Sequence, residues 1–368
     1  MNAIIAALAL TLALVLGPDG GSGGGPPDAT LPAVSPVAPA TGAGTDPGCD
    51  RWAAPSGRDP VRRRGRGRRP GSDRGDRARP LRTVPALARS LAAGETGCLL
   101  PGRYRHAAPA KLTRPGTRLV GVDGRVRVDG AIWLTGRARG AELRGLDLTA
   151  SDSSFFIPLK IQANEAVVAD NRIRGARSTT CVLVGSTRRA VGVRIERNWI
   201  RRCGRVGKLD HLIYLQQTSG AVVRGNVLAS NPGGWAVHMY PDADRTRVER
   251  NLIDGNRGGV IFAGEDDRSS DGNVVRANVI AFSAPRWNVE GSWDDVLGRG
   301  NVAYSNCLYS EGPSAPSGVG PVRGFELGEN LVETSSPFEL HRPRRYRIET
   351  SDGCDLLVSP LPPAFPGA

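Results

Sequence analysis

The chain has 368 residues, 49 Lys and Arg against 36 Asp and Glu, and a net charge of +13. A basic balance of that size ordinarily points to nucleic acid. Here residues 51–82 hold twelve Arg and three Asp, a surplus of 9, which leaves only +4 for the other 336 residues and makes nucleic acid the weaker option, confined to that segment. With 48 Gly, 28 Pro and 5% aromatic residues, the composition suits many short strands joined by turns better than a helical bundle.

In chain order, Ile4–Leu16 is an apolar segment of thirteen residues closed by Gly17-Pro18. It matches the apolar stretch of a secretory signal, although Lys and Arg are missing ahead of it, and it is too short to span a bilayer. A signal peptide is therefore expected over 1–17, which makes the protein secreted and disulfides the default fate of its cysteines. Residues 18–80 read as a disordered linker, first Gly/Pro/Ala-rich and then, from Arg58, Arg-rich. Thr83 is placed to N-cap a short helix, since Val84, Leu87, Ala88 and Leu91 share one face and Gly94 supplies a stop. A strand, GCLLPGRY, follows at 97–104.

Beyond residue 118 an apolar-x-apolar-x-x-Asn-x-apolar line recurs at Asn171, Asn198, Asn226, Asn251, Asn278, Asn306 and Asn330, with Asp147 as a variant. The spacings are 24, 27, 28, 25, 27, 28 and 24 residues. A period of this length marks a solenoid. Alternating apolar residues within each unit call for strands, and helical runs are missing. The reading is an all-β, right-handed parallel β-helix over residues 81–358, its N-terminus closed by the cap helix, with 359–368 as a tail. The Asn column has a physical reason: Asn accepts left-handed turn geometry and its amide can bond to the coils above and below. PFELHRPRRYRI and CDLLV are expected as terminal strands laid over the last coil.

RTVPALARSLAAGETGCLLPGRY resembles the N-terminal cap of secreted polysaccharide-active proteins of the pectin-lyase-like superfamily. CVLVG, DHLIYL, YPDADRTRVERNLIDGN, GVIFAGE and RWNVE resemble exported actinobacterial right-handed β-helix repeat proteins, over roughly residues 49–358. The resemblance and the positions of the cysteines together imply pairs Cys49–Cys98, Cys181–Cys203 and Cys307–Cys354, one of fifteen connectivities open to six cysteines. It also implies a polysaccharide partner, no nucleic acid and a monomer. The Asp triad and Arg-x-Pro-x-x-Arg line of pectate lyases are missing, as is the Asp-Pro-His of mannuronan epimerases.

Aligning the coils on inward pairs Val182/Val184, Ile213/Leu215, Val237/Met239 and Val260/Phe262 leaves an outward column of Leu183, Tyr214, His238, Ile261 and, next in line, Glu290. A second outward step gives Gln216, Tyr240 and Ala263, with Asp242 and Glu265 at the adjoining turn and Lys208 and His211 ahead of the strand. Such a strip would form a shallow groove for an extended glycan. Elimination at a uronate needs a base for the C5 proton, an acid for the leaving oxygen and a cation on the carboxylate, roles open to Tyr214, His238, His211, Tyr240, Lys208 and Arg245. Hydrolysis needs two carboxylates ~5–5.5 or ~6.5–9.5 Å apart, for which Asp242, Glu265, Asp266, Asp267 and Glu290 are candidates. Gln216, Arg245 and Glu265 are expected to bind substrate, and Trp235, Trp287 and Trp293 to stack sugars. The plainer alternatives are a structural His238, a turn-bonding His211, tyrosines that only stack between coils, and tryptophans that only fill space. No cofactor is expected; calcium at GEDDRSSDGN (264–273) is the weaker alternative, because that turn lacks regular ligand spacing.

Overall fold

The computed structural model describes residues 48–55, 75–150, 157–175, 180–204, 210–291, 296–342, 345–348 and 353–358. The expected signal peptide, most of the expected linker and the tail lie outside these residues. Each coil contributes one short strand to each of three parallel sheets, of eleven, ten and nine strands, and neighbours in every sheet come from successive coils. This is the expected β-solenoid. One strand of the eleven-stranded sheet, Arg51–Ala53, pairs with Thr96–Leu99 and lies ahead of residue 81, where the solenoid was expected to start. The 97–104 segment is two strands, Thr96–Leu99 and Gly102–Arg105, in different sheets, because Leu100-Pro101 turns a corner between them.

Helix α1, Val84–Ser90, forms as the sequence predicts: the Thr83 hydroxyl accepts the Ala86 N–H at 3.2 Å, and Val84, Leu87 and Ala88 are buried against the first coil. Inside the solenoid every strand contributes alternate apolar side chains, and Val182/Val184, Ile213/Leu215, Val237/Met239 and Val260/Phe262 stack in register with at most 2% exposure. A parallel stack cannot satisfy the backbone where the chain turns the corner from the eleven- to the ten-stranded sheet, and the Asn ladder does so. Asn251 accepts the backbone N–H of Asn226 at 2.9 Å and reaches the Val223 and Glu249 carbonyls at 2.9 and 3.1 Å. The same pattern runs from Asn171 to Asn330.

Two details of that reading change. The left-handed residue is the one before each Asn from Asn171 to Asn306: Asp170, Arg197, Gly225, Arg250, Ala277 and Ser305 have φ of 57°, 53°, 62°, 56°, 52° and 52°. And the ladder position in the earliest coil is Leu146, whose N–H donates to Asn171 Oδ1 at 3.0 Å, whereas Asp147 is one residue on, opposite Arg172.

The C-terminal segment also departs from expectation. Phe338–Arg342 and Arg345–Ile348 do form an antiparallel pair. They lie on the outward face of the ten-stranded sheet, where Phe338 joins a second apolar cluster with Trp199, Val227, Leu252, Val279 and Cys307. His341 and Tyr346 bond Asp254 there at 3.0 and 2.8 Å. CDLLV is helix α2, Cys354–Val358, rather than a strand. The last coil consequently keeps Leu327, Leu331 and Val332 41–43% exposed. All three cysteine pairs are as the resemblance implied.

Asn251→Ala strands several buried polar groups at once and is expected to cost roughly 3–5 kcal/mol, while Asn330→Ala, at the partly exposed end of the ladder, should cost under about 1.5 kcal/mol. Urea unfolding of the two variants checks this, and equal losses would contradict a cumulative ladder. Alkylation of the denatured, unreduced protein should label no thiol by intact mass; any labelled cysteine removes a pair.

Candidate functional site

The outward column of the nine-stranded sheet has the expected register: Leu183 faces Tyr214, Tyr214 faces His238, His238 faces Ile261 and Ile261 faces Glu290. Its exposure is not as expected. His238, Ile261 and Glu290 are 2%, 0% and 0% exposed, so this part of the strip is filled rather than open. The filling is local: Trp235, Ile261, Ala263 and Tyr240 form a small apolar cluster outside the solenoid core. Two glycines make room for it. A Cβ at Gly258 would meet the Trp235 ring at 2.5 Å, and one at Gly234 would meet His211 Nδ1 at 2.8 Å.

At the centre His211 Nε2 and His238 Nδ1 are 2.8 Å apart. The Trp235 N–H approaches His211 Nδ1 at 3.4 Å, which makes Nδ1 the acceptor and puts the His211 proton on Nε2, donating to His238. Tyr214 and Tyr240 each stack on His238 with ring centroids at 5.2 Å, and Tyr214 meets His211 edge-on at 5.1 Å. Burial pulls the His211 pKa down to about 3. His238 is lowered well below the ordinary value by burial and by the neighbouring His211. Both rings are neutral at pH 7. Burial and then the charge of Glu265 push the Tyr214 phenol up to about 12, so it is a proton donor rather than a base near neutrality.

The carboxylates are engaged. Tyr240 OH donates to Glu265 Oε2 at 2.6 Å, and Arg268 holds the other oxygen. Trp235 Nε1 donates to Glu290, which also pairs with Arg286. Burial raises the Glu290 pKa against the opposing pull of Arg286 and Trp235. Trp235, at 4% exposure, is thus a buried donor and not a sugar platform. Trp287 is half-exposed but lies under Arg286, 4.3 Å from its ring centroid, and against Gly320. Arg286 was missed in the sequence; its only signal is its position four residues before Glu290.

The structure therefore brings together His211, Tyr214, Trp235, His238, Tyr240, Glu265 and Glu290. Asp242 is turned to an ion pair with Arg189 and Arg245 to Ser219 Oγ at 2.6 Å, so neither faces the histidine pair. Gln216 is half-buried opposite Gly185. Lys208 and Trp293 lie outside the described residues.

No protein-family model matches the chain, and no curated protein sequence is significantly similar to it. Solved structures do match. Pectate lyase Pel9A superposes with a TM-score of 0.54 at 11% identity, over 82% of this chain and 89% of that one. A pectin methylesterase from carrot gives 0.48 at 12% identity, over 77% and 90%. The Dettilon tailspike protein gives 0.46 at 12% identity over 65% of this chain, which spans 59% of the tailspike's length. The Pel9A likeness, with the three parallel sheets, establishes the fold as a right-handed parallel β-helix. Among the described residues no helix is long and apolar enough to cross a membrane.

A depressed histidine pKa stabilises the folded state above the unfolded value of ~6.5 and loses that contribution as pH falls, because only the unfolded chain takes up the proton. Unfolding free energy should fall from pH 6.5 to 4.5, and the slope should be shallower by up to about 1.4 kcal/mol per pH unit in His211→Asn. Urea melts at four pH values measure it; an unchanged slope would mean His211 titrates normally.

Proposed function

We propose that the protein is an extracellular carbohydrate-active β-helix that modifies or cleaves a polysaccharide, as a lyase or glycoside hydrolase, on the outward face of the nine-stranded sheet. The observation that supports this reading is the stacking of Tyr214 and Tyr240 on His238 of the buried neutral His211–His238 pair, with Glu265 bonded to Tyr240 at its edge. Titratable groups with shifted pKa values gathered on one strip are what a site needs, and here they lie beside two half-exposed tyrosines. In this reading Tyr214 and Tyr240, both half-exposed, meet the sugar. Tyr214 gives its proton to the leaving oxygen, Glu265 accepts one, and the histidines position the tyrosines without touching substrate. Pel9A, by its name a pectate lyase, has the same fold, which makes a glycan partner a reasonable first test. The three disulfides support a location outside the cell.

The burial of His238 and Glu290 favours a second reading, a glycan-binding β-helix without turnover. A panel of polysaccharides assayed for new reducing ends and for the absorbance of unsaturated products separates the two. Turnover should appear with at least one glycan, and Tyr214→Phe and Glu265→Gln should each lower it at least tenfold with little change in melting temperature. Saturable binding without new products would instead establish the second reading.

A further inference from the structure

The outward face of the ten-stranded sheet changes character along the solenoid. From Trp199 onward it is mainly apolar, and the C-terminal strand pair seats on it. The four earlier strands, Gly102–Arg105, Val126–Asp129, Leu146–Ala150 and Arg172–Gly175, alternate inward Tyr104, Val128, Leu148 and Ile173 with outward charge. Arg103 faces Arg127 across one strand spacing, and Arg127 faces Asp147 across the next. In the second outward column Arg105 faces Asp129, and Arg174 stands two strands further on, past Thr149. The charges are also layered. Asp129 and Asp147 are 3% and 4% exposed, and each is shared by two arginines. Arg103 and Arg105 reach Asp129 at 3.5 and 3.1 Å, and Arg125 and Arg174 bracket Asp147. Arg127, fully exposed, has no carboxylate partner among the described residues. Carboxylates lie beneath and guanidinium groups on top, so the face presented to solvent is positive.

More positive charge is anchored beside it. Residues 56–74, outside the described residues, hold eight Arg and two Asp. Just before them Pro55 packs on Gly102 so closely that a Cβ there would clash, and Tyr104 OH donates to the Ala53 carbonyl at 2.8 Å. Just after them Arg77 pairs with Asp123 at 3.2 Å, two residues ahead of Arg125. The chain thus leaves and re-enters the fold beside the first two strands of this same face. The outward positions of the four strands hold no aromatic ring. Sugars and unpaired bases have nothing to stack on there. Phosphates need only cations, and the guanidinium fork matches their oxygens. The four strands span three strand spacings, ~14 Å, and a duplex carries one negative charge per ~1.7 Å of its axis.

We infer that Arg103, Arg105, Arg127 and Arg174 form a binding surface for the phosphodiester backbone of duplex DNA, which they hold without reading its sequence. Composition alone confines the case for nucleic acid to the arginine-rich segment ahead of the fold; the strand register instead places four arginines of the folded sheet on one face. The site is that sheet face and not residues 56–74. It lies on a different sheet from the tyrosine strip, so it stands or falls independently of the proposed catalysis.

Fluorescence anisotropy of the intact protein with two labelled duplexes of about 20 base pairs and unrelated sequence tests this. Both should bind, with affinities within about threefold of each other. Between about 50 and about 200 mM salt, log Kd should rise by at least about 3 per log unit of salt, as four phosphate contacts require. In Arg105→Gln/Arg127→Gln/Arg174→Gln, Arg103 still meets Asp129 and Arg125 still meets Asp147, so the melting temperature should hold. Affinity at about 50 mM salt should fall at least about tenfold in that variant, and the salt slope by roughly 2 to 3. Arg194→Gln/Arg247→Gln/Arg250→Gln removes the same charge from exposed positions on and beside the eleven-stranded sheet, and should change affinity less than about twofold. Equal losses in the two triple variants would reduce the effect to net charge. Unchanged affinity in the first would assign binding to residues 56–74, and polygalacturonate held as tightly at the same arginines would remove the preference for phosphate. Each of these outcomes overturns the inference, as does no binding of either duplex.

Discussion

A buried corner is the constraint on which this molecule depends. Where the chain passes from the eleven- to the ten-stranded sheet, its amide groups point neither along a strand nor to water, and leaving them unmet would cost more than a coil's packing returns. A side chain with one acceptor and two donors, repeated once per coil, solves this in both directions along the axis. Asn171 through Asn306 do so: each side-chain oxygen accepts a backbone N–H of the coil behind, and each side-chain amide donates to a carbonyl of the coil behind and to the next asparagine's oxygen in the coil ahead. The coil length, the strand register and the stacking of inward Val, Ile and Leu all follow from that pin.

Once the register is pinned, every outward position becomes a column, and the three sheets use their columns differently. The eleven-stranded sheet carries alternating Arg and carboxylate groups, which neutralise one another. The ten-stranded sheet carries apolar groups and is covered by the C-terminal strand pair. Among the described residues the nine-stranded sheet brings the His211–His238 pair together with half-exposed tyrosines on one face, and this is why chemistry is sought there.

The repeat was legible in the sequence because the corner restricts both a side chain and the backbone beside it, and such a double restriction survives as a visible letter. The outward register was legible for the same reason: Tyr214, His238 and Glu290 follow from alternation alone. Their burial was not, because alternation says which way a side chain leaves its strand and nothing about what lies above it; that depended on Trp235 folding over the column into space left by Gly258. Asp147 misled because an acidic residue one place from the corner looks like a degenerate Asn, while the apolar Leu146 that holds the position carries no sign of it. The C-terminal strands were recognised as strands, but their seat depended on Asp254, eighty-seven residues from His341, a pairing no local pattern can reveal.

The exposed Leu327, Leu331 and Val332 give the solenoid a direction. In a linear stack each coil is held by two neighbours except at an end, and the two ends here are unlike: helix α1 and the Cys49–Cys98 link close one, while among the described residues no further strand pairs with Glu326–Leu327 or Leu331–Val332 at the other. Opening should therefore begin at the last coil and advance toward the first, with hydrogen exchange slowing coil by coil in that order. The Cys307–Cys354 link sits where that advance would first meet resistance, one coil in from the open edge. Opening from that end would run coil by coil like a zipper, and the tyrosine strip lies well behind the stop.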